Sequence, residues 1–310
     1  MRDWPRPEPG PGQVRIRTAA CGICTTDLAM IAGWERTRCP AIPGHEWAGY
    51  VDAVGVGVAP ELVGRKCVGE NVLSDGGEVG FEHPGGYAEY FLTEANHLHL
   101  LPDDFPPAVA TLIEPLAVCV RAVRRLAPTK GTSALIFGDG PIGLLCLMLL
   151  RRAGVAPIVQ VGGRPERLTL AAELGADLTL NYHTAGESLS AAIASTCGRN
   201  FPNIIEASGQ PNALAAGLAL TAPDGRILLV GDYGSARADF RWNDILLREL
   251  HLVGSNASHG AWPEAVRLAT TCALPLARLI THRLPMAHFA DALAMLQQRR
   301  PCVVKIVLEW

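Results

Sequence analysis

Short apolar runs of the β type dominate the chain up to about residue 110. The segments 14–17, 49–55 and 87–92 alternate in polarity or are rich in β-branched residues, and Gly and Pro residues separate them. Apolar runs of this length between turn residues predict short strands. The first part of the sequence therefore predicts a mostly β domain.

A second pattern begins near residue 111. Apolar residues recur at helical spacing between residues 112 and 123, and the buried-strand run 134–137 follows them. A helix, a second apolar strand at 157–161 and further alternation continue to about residue 253. Strands that alternate with helices through short glycine connections predict an α/β domain with a doubly wound parallel sheet, the Rossmann type.

The two patterns divide the chain into two predicted domains. We expect the mostly β domain at residues 1–117 and 257–310, and the parallel α/β domain at residues 118–256. A length of 310 residues agrees with this number, because domains average roughly 150 residues. With 49% hydrophobic residues, the chain has enough apolar side chains for two medium-sized cores.

Charge and targeting features narrow the partners and the location of the chain. The 27 Lys and Arg residues against 30 Asp and Glu give a formal net charge of −3, so we expect no binding to nucleic acid or to a membrane. The N-terminus lacks the apolar segment of a signal peptide. Nine scattered cysteines without such a signal indicate reduced thiols or metal ligands. These features predict a cytoplasmic protein.

A glycine-rich loop lies between the predicted strand 134–137 and the helix that follows it. Its sequence is Gly138-Asp139-Gly140-Pro141-Ile142-Gly143. The motif alone is weak in a glycine-rich chain, but its position between strand and helix is the one that a dinucleotide site requires. Glycines let backbone N–H groups approach a pyrophosphate at the helix N-terminus. The alternative is a tight turn without a ligand.

The end of the next strand indicates which nicotinamide coenzyme is used. NAD sites carry an Asp or Glu about 20 residues beyond the glycines, where it accepts a hydrogen bond from the ribose. No acidic residue lies between positions 140 and 165. The strand ends instead in Gly162-Gly163-Arg164, and a guanidinium can pair with the 2′-phosphate of NADP. We expect a preference for NADP(H), with Arg164 as its main determinant and Arg167 as a solvated charge on a helix face.

Potential metal ligands lie far apart in the first part of the chain. Cys21 and Cys24 form a lone C-x-x-C pair, which lacks the second pair of a structural zinc ribbon and the βαβ context of a redox dithiol. His45 is next to Glu46, and Glu114 lies in apolar surroundings where an unpaired carboxylate is costly. A cysteine, a histidine and a carboxylate at long spacing suit a catalytic zinc with an open position. From spacing alone, a structural histidine at position 45 is an equal alternative.

These segments together resemble the zinc-dependent medium-chain alcohol dehydrogenases, over essentially the whole chain. The motifs that carry the resemblance are Cys24-Thr25-Thr26-Asp27, Gly44-His45-Glu46, Glu114-Pro115-Leu116, the glycine-rich loop, Ile204-Ile205-Glu206-Ala207-Ser208-Gly209 and Gly225-Arg226-Ile227-Leu228-Leu229-Val230-Gly231. The Glu-Pro-Leu motif is similar to the sorbitol and threonine dehydrogenase branch. The segments 161–165 and 180–182 are similar to the NADP-dependent secondary-alcohol dehydrogenases. The resemblance implies a GroES-like catalytic domain together with a Rossmann coenzyme domain.

The resemblance implies a role for each residue of the metal segments. Cys24 is the thiolate ligand and His45 the imidazole ligand. Glu46 or Glu114 completes the metal site, directly or through water. Asp27 holds the His45 ring from behind and so fixes the tautomer that presents a lone pair to zinc.

Other residues take their expected roles from the same resemblance. Thr26 hydrogen-bonds the substrate hydroxyl and passes its proton outward, Tyr182 lines the pocket for the adenosine phosphate, and Lys305 reaches the pyrophosphate. The remaining coenzyme contacts are expected from Gly138, Gly140, Pro141, Ile142, Gly143, Gly162, Gly163 and Arg164. The segment 243–255 is similar to the closing strands of the family, which often pair between subunits. We therefore expect a homodimer or a homotetramer.

The sequence departs from the family in three places. Residues 72–86 contain none of the cysteines that bind a structural zinc in many members, so we expect one catalytic zinc per chain and no structural zinc. Ala29 stands where many members have a histidine that completes a proton relay. The chain also begins four residues before a Pro-Arg-Pro-Glu-Pro-Gly segment that a strand usually precedes, which predicts a missing first hairpin or a start further upstream.

Together the motifs predict a zinc-dependent oxidoreductase that transfers a hydride between an alcohol and NADP(H). The alcohol is expected to be a polyol, a secondary alcohol or an amino alcohol, and zinc would act as a Lewis acid toward its hydroxyl. The alternatives are a biosynthetic cyclitol or threonine-type dehydrogenase that uses NAD, a zinc-free NADPH reductase of the same fold, and a binding protein that has lost turnover. The substrate is expected in a cleft between the two domains.

Overall fold

A computed structural model describes residues 3–34, 36, 41–184, 188–271, 274–298 and 300–310. The strands are β1 Gln13–Gly22, β2 Glu46–Val54, β3 Lys66–Gly69, β4 Tyr90–Glu94, β5 Leu98–Leu100, β6 Ala134–Phe137, β7 Ile158–Gly162, β8 Leu178–Asn181, β9 Phe201–Glu206, β10 Thr221–Leu229, β11 His251–Gly254, β12 Ile280–Pro285 and β13 Lys305–Glu309. The helices are α1 Thr25–Ile31, α2 Pro107–Ala110, α3 Ile113–Leu126, α4 Pro141–Arg152, α5 Pro165–Glu173, α6 Leu189–Cys197, α7 Pro211–Leu220, α8 Trp242–Leu246, α9 Trp262–Thr271 and α10 Phe289–Gln297. Within the described residues, none of these helices combines the length and apolarity needed to cross a membrane.

The chain divides into two compact units. The first contains Met1–Glu114 and Trp262–Trp310, and the second contains Pro115–Ala261. The domain boundaries predicted from the sequence lie after residues 117 and 256, whereas the units divide after residues 114 and 261. Each unit has its own sheet and its own buried apolar cluster.

The first unit is built on one seven-stranded sheet. Its strand order is β12-β13-β1-β2-β3-β5, and β4 adds to β1. β1 pairs antiparallel with β2, β4 and β13. Val14 and Ile16 on β1 are completely buried, and they share a core with Trp47 and Phe91, whose rings meet edge to face at 5.0 Å. The mostly β domain that the sequence predicts is confirmed.

The ends of three strands of this sheet meet at one place. Gly22, the last residue of β1, lies opposite Glu46, the first residue of β2, and opposite Val307 of β13. β13 begins two residues earlier, with Lys305. This register brings residues from three distant parts of the sequence together next to the start of α1.

The second unit has a six-stranded sheet in which every pair of neighbouring strands is parallel. Its order is β11-β10-β9-β6-β7-β8. Read from β8, this is the 3-2-1-4-5-6 order of the Rossmann fold. β6 and β7 are buried along their whole length, because helices cover both faces of a doubly wound sheet. The predicted Rossmann-type domain is confirmed.

One local prediction in the second unit is wrong. The segment 243–255, expected to form the closing strands, begins with the short helix α8 and only then forms the single strand β11. The helical hydrogen bond from the Leu247 N–H to the Asn243 carbonyl closes this turn at 2.9 Å. Phe240 packs on Trp242 at 5.0 Å between ring centroids and anchors the first residue of the helix.

Candidate functional site

Three of the four predicted metal ligands come together where β1 ends and β2 begins. Cys24 caps the N-terminus of α1, and His45 immediately precedes β2, which begins with Glu46. The Cys24 Sγ, one His45 ring nitrogen and one Glu46 carboxylate oxygen all lie within 4.8 Å of one another. Among the residues that the structure describes, this is the one such group of three. A thiol, an imidazole and a carboxylate form a donor set that fits zinc.

Two glycines make room for this arrangement. A Cβ atom on Gly22 would collide with the Glu46 carboxylate, so no other residue fits there without moving that side chain. Gly44 has a φ of +104°, and a Cβ atom on it would lie 2.7 Å from the Tyr87 backbone nitrogen. A glycine is therefore required beside Glu46, the carboxylate ligand, and another directly before His45, the imidazole ligand.

Asp27 lies behind the His45 ring, as predicted for a residue that orients it. Its carboxylate is completely buried and accepts hydrogen bonds from the Cys24 backbone N–H at 2.8 Å and from the Tyr87 hydroxyl at 2.7 Å. The other carboxylate oxygen lies 3.5 Å from His45 Nδ1. Nδ1 therefore faces Asp27, which leaves Nε2 as the nitrogen that can bind a metal.

The charges of this pair depend on each other. Burial alone lowers the pKa of His45, but Asp27 raises it more, and the pKa of the imidazole ends well above its usual value. Burial also raises the pKa of Asp27, yet His45 and the Cys24 and Tyr87 hydrogen bonds outweigh this, and the pKa of the carboxyl is lowered. Without a metal, the pair therefore favours imidazolium and carboxylate, so zinc must displace a proton when it binds.

Glu46 has a second partner, the ammonium group of Lys305. Both of its carboxylate oxygens accept from the Lys305 ammonium, at 2.6 and 2.7 Å, and the same ammonium donates to the Ile23 carbonyl at 3.2 Å. The Lys305 ammonium thus donates to Glu46, one of the three candidate ligands, and to the backbone that precedes Cys24. Burial lowers the pKa of Lys305, but Glu46 raises it more, so the amine stays charged. This buried ion pair holds the Lys305 side chain at Glu46, and the expected contact of Lys305 with a coenzyme pyrophosphate stays a prediction.

Glu114, the predicted alternative to Glu46 as the carboxylate that completes the metal site, lies outside the group of three ligand atoms. It is the second residue of α3. Burial raises the pKa of its carboxyl to about 7, with His45 and Lys305 acting in the opposite direction and Glu46 in the same one.

Thr26 lies in the first turn of α1, next to the cluster. Its hydroxyl oxygen is 3.4 Å from the Cys24 Sγ, and the residue is half-buried. This position beside the predicted thiolate agrees with the role expected for Thr26 in handling the substrate proton.

Several residues that support the cluster could not be recognised in the sequence. The Asn71 amide donates to the His45 carbonyl at 2.9 Å and accepts from the Trp47 indole N–H at 3.2 Å. Phe81 packs against the His45 ring at 4.9 Å between centroids. Trp47 itself is a core residue that is 2% exposed. No local motif distinguishes Asn71, Tyr87 or Phe81 from other polar or aromatic residues.

The glycine-rich loop connects β6 to α4 in the second unit, as the sequence predicts. Gly138 has a φ of +111°, and a Cβ atom on Gly143 would collide with the Gly138 carbonyl oxygen. Gly140 caps the helix and Pro141 is its first residue, where a proline is well tolerated. The backbone N–H groups at this helix N-terminus are the kind that a pyrophosphate accepts from.

An acidic residue from outside the interval 140–165 packs against the end of β7. Asp139 belongs to the glycine-rich loop, and its carboxylate accepts from the backbone N–H groups of Gly163 and Arg164, both at 2.9 Å. A Cβ atom on Gly162 would lie 2.5 Å from the Asp139 carboxylate. A Cβ atom on Gly163 would lie 2.6 Å from the Tyr182 ring. Both glycines are therefore needed for Asp139 and Tyr182 to pack on either side of this strand end.

Two arginines approach Asp139 together. Arg164 and Arg167 each place an Nη1 atom 3.5 Å from the same carboxylate oxygen. The Arg167 side chain is only 11% exposed, so the prediction that it is a solvated helix-face charge is wrong. Burial, followed by the neighbouring Arg164, lowers the pKa of Arg167. Two guanidinium groups and one carboxylate leave a net charge of +1 beside Tyr182.

Family models match both units of the chain. The alcohol dehydrogenase GroES-like domain matches residues 10–103, and the zinc-binding dehydrogenase domain matches residues 141–271.

Curated relatives cover nearly the same length. L-threonine 3-dehydrogenase from Pyrococcus abyssi is 34% identical over 300 residues, which is 89% of this chain and 85% of that protein. D-altritol 5-dehydrogenase from Agrobacterium fabrum is 32% identical over 300 residues, which is 90% of this chain and 87% of that protein. D-arabitol-phosphate dehydrogenase from Enterococcus avium is 28% identical over 325 residues, 98% of this chain and 91% of that protein.

Solved structures share the fold over the whole chain. The short chain alcohol dehydrogenase RspB from Escherichia coli CFT073, complexed with NADH, has a TM-score of 0.91 and 27% identity, and the match covers 98% of this chain and 94% of that one. A zinc-binding dehydrogenase from Sinorhizobium meliloti 1021 bound to NADP has a TM-score of 0.90 and 27% identity, with 100% and 95% of the two chains covered. Similar folds therefore bind either nicotinamide coenzyme.

Proposed function

The chain belongs to the zinc-dependent medium-chain alcohol dehydrogenase family, and from this premise we propose that it oxidises a hydroxyl group of a small alcohol with NADP as the preferred hydride acceptor. The observation that carries the proposal is the group formed by Cys24, His45 and Glu46, whose ligand atoms lie within 4.8 Å of one another. A zinc-free reductase of the same fold has no use for a thiol, an imidazole and a carboxylate brought together in this way. The metal-dependent reaction is therefore favoured.

Each residue of the cluster has a proposed role in the reaction. Cys24 and His45 would hold zinc, and Glu46 or Glu114 would complete its ligands directly or through water. When bound, zinc supplies a Lewis acid that favours loss of the proton from the substrate hydroxyl. Thr26, whose hydroxyl oxygen is 3.4 Å from the Cys24 Sγ, would accept that proton and release its own, while the hydrogen on the carbon that bears the hydroxyl leaves as hydride to the nicotinamide C4.

The fate of the proton beyond Thr26 differs from that in many relatives. Ala29 offers no imidazole for a relay, and it is exposed on the outer side of α1. A proton from Thr26 must then pass to water. The overall reaction converts one alcohol and one NADP⁺ to one carbonyl compound, one NADPH and one proton, and the proton is released to water.

The coenzyme preference gives a specific prediction. Arg164→Ala should lower kcat/KM for NADP by about tenfold to a hundredfold, because a charge-assisted hydrogen bond contributes roughly 1.5–3 kcal/mol. The kcat/KM for NAD should change by less than about threefold. NAD has no 2′-phosphate, so the substitution removes no charge-assisted hydrogen bond to it. Initial rates with each coenzyme measure this ratio. Arg199→Ala, which removes an exposed arginine of the same unit, is the matched control. An unchanged NADP/NAD ratio in Arg164→Ala would contradict the assignment.

The outer edge of the second unit supports the proposal that the protein is a homo-oligomer. β11 is an edge strand whose residues are largely exposed, and the neighbouring Trp242, Leu246 and Leu247 are 74%, 70% and 76% exposed. Unpaired strand edges and exposed apolar side chains are typical of surfaces that bind a second copy. We expect light scattering to give a dimer or tetramer mass. The Trp242→Glu/Leu246→Glu variant should shift the mass toward the monomer, and a monomeric wild-type protein would contradict the proposal.

A substrate panel tests the reaction itself. Zinc-loaded protein is assayed for reduced nicotinamide with polyols, secondary alcohols, amino alcohols such as threonine, and cyclitols, each with NADP and with NAD. We expect turnover with at least one class and a higher kcat/KM with NADP. Absence of turnover with every class and both coenzymes would contradict the proposed function.

A further inference from the structure

We propose that a cluster of five side chains beside His45 selects uncharged polyhydroxy alcohols and disfavours their phosphate esters. The cluster, called here the His45 wall, contains Trp34, Arg36, Glu78, Phe81 and Glu82. The inference rests on the proposed function, because it concerns the substrate of the same metal site. It goes beyond that function by naming the substrate's charge and the residues that determine it.

Aromatic contacts place the wall directly against a predicted zinc ligand. The Phe81 ring lies 4.9 Å from the His45 ring between centroids, with a tilt of 35°. Trp34 contacts the edge of Phe81 at 6.3 Å and 77°, and it is 39% exposed. Carbon-bound hydrogens of a polyol can pack on the exposed part of Trp34, because an aromatic ring is apolar and its face is electron-rich. In this proposal, the part of the substrate beyond the reacting hydroxyl lies alongside Trp34 and Phe81.

A salt-bridge network covers the same rings. The Arg36 guanidinium carbon lies 4.6 Å from the Phe81 centroid and 5.8 Å from the Trp34 centroid. Its Nε donates to Glu82 at 2.7 Å, and its Nη2 donates to Glu78 at 2.7 Å and to Glu82 at 3.0 Å. Three of the five N–H donors of the guanidinium are thus used by carboxylates. One arginine between two carboxylates leaves a net charge of −1.

This charge acts close to the metal site. Glu78 accepts from Arg36 at 2.7 Å, and the Arg36 guanidinium lies over the Phe81 ring that packs on His45. The Glu78, Glu82 and Arg36 side chains are 22%, 36% and 33% exposed, so water screens them only in part. Among the described residues, Arg36 is the cation that lies over the Phe81 and Trp34 rings. Glu78 and Glu82 already neutralise its charge, so it offers no free positive charge to a phosphate.

The chemistry of the wall discriminates between two substrate classes found among the relatives. One curated relative is named for D-altritol and another for D-arabitol phosphate. A phosphate dianion beside the wall would meet two carboxylates and an arginine that both of them occupy, and like charges in contact are a strong means of rejecting a ligand. The hydroxyl groups of an uncharged polyol can instead donate to Glu78 and Glu82.

The test compares polyols with their phosphate monoesters on the zinc-loaded protein. D-Altritol, D-arabitol and galactitol are each paired with the corresponding phosphate, and kcat/KM is measured for every compound with NADP. For a compound without turnover, its inhibition constant against the best substrate of the panel is measured instead. In the wild-type protein we expect the uncharged member to be favoured by at least about tenfold, corresponding to about 1.4 kcal/mol.

The Glu78→Gln/Glu82→Gln variant tests whether the wall is responsible. A glutamine oxygen can still accept from Arg36, while the net charge of the network changes from −1 to +1. We expect the preference for the uncharged member to fall by about tenfold or more, with unchanged zinc content. Glu61→Gln/Glu89→Gln removes two exposed carboxylates outside the wall and should leave the preference unchanged.

The outcomes separate this inference from the proposed function. A wild-type preference for the phosphate esters, an unchanged preference in the double glutamine variant, or no binding by any of the six compounds would overturn the role of the wall. Each of these results is compatible with oxidation of another alcohol. Absence of turnover with every alcohol class would instead overturn the proposed function.

Discussion

Cys24→Ser should remove zinc and turnover together. The serine hydroxyl cannot replace the thiolate of Cys24 as a metal ligand at neutral pH. The metal site therefore loses its soft ligand and keeps only His45 and a carboxylate. A Lewis acid contributes several kcal/mol to the transition state, and about 4 kcal/mol corresponds to roughly a thousandfold in rate. We therefore expect kcat/KM to fall by at least about a thousandfold. Metal analysis after dialysis and initial rates on the same sample measure both effects.

Cys21→Ala provides the matched control for this variant. Cys21 is in the same short segment and is buried, but it does not belong to the group of ligand atoms. Its thiol lies 3.6 Å from the Gly22 carbonyl, a contact too weak to carry much stability. We expect this variant to retain zinc and most of the activity. Full zinc content with full activity in Cys24→Ser would contradict the assignment of Cys24 as a ligand.

Lys305→Met should cause the second large effect, on stability. Lys305 and Glu46 form a completely enclosed ion pair, with side chains 4% and 2% exposed. Removal of one partner leaves a buried charge unpaired, which typically costs about 3–5 kcal/mol. We expect a loss of this size in the free energy of unfolding, measured by urea titration of the metal-free protein. Added zinc should recover part of the loss, because Glu46 can then turn to the metal.

Two further variants define the origin of that loss. Glu46→Gln/Lys305→Met removes both charges, so it should be clearly more stable than Lys305→Met alone. Arg283→Met breaks an exposed pair with Glu309 on the neighbouring strands, and such pairs contribute about 0–1 kcal/mol. A loss below about 1 kcal/mol in Lys305→Met would contradict the importance of the buried pair.

Local patterns were enough to predict the parts of the fold that depend on neighbouring residues. The predicted strand 134–137 has the same bounds as β6, and the glycine-rich loop and α4 follow it as expected. Each of these features rests on the polarity and backbone freedom of residues that are close in sequence. The same applies to β1 and β2, whose alternating apolar residues identify them as strands of a half-buried sheet.

The pairings within the candidate site could not be predicted in the same way. Lys305 and Glu46 are 259 positions apart, and Tyr87 and Asp27 are 60 apart. The sequence shows which residue types are present, but only the strand register decides which buried charges meet. The pairing of Lys305 with Glu46 therefore had no signal in the sequence. Asp139 was not predicted for a related reason. The acidic residue of a coenzyme site is expected about 20 residues beyond the glycines, whereas Asp139 belongs to the glycine-rich loop and meets the end of β7 only in space.

The most direct test of metal-dependent alcohol oxidation is to measure turnover as a function of zinc content. The protein is purified without added zinc, its metals are quantified per chain, and it is then stripped with a chelator and titrated with zinc. With the best alcohol of the panel and NADP, we expect the rate to vanish on stripping and to rise in proportion to zinc up to about one equivalent per chain, as for a single catalytic site. Full turnover in the metal-free protein would contradict the proposed role of Cys24, His45 and Glu46.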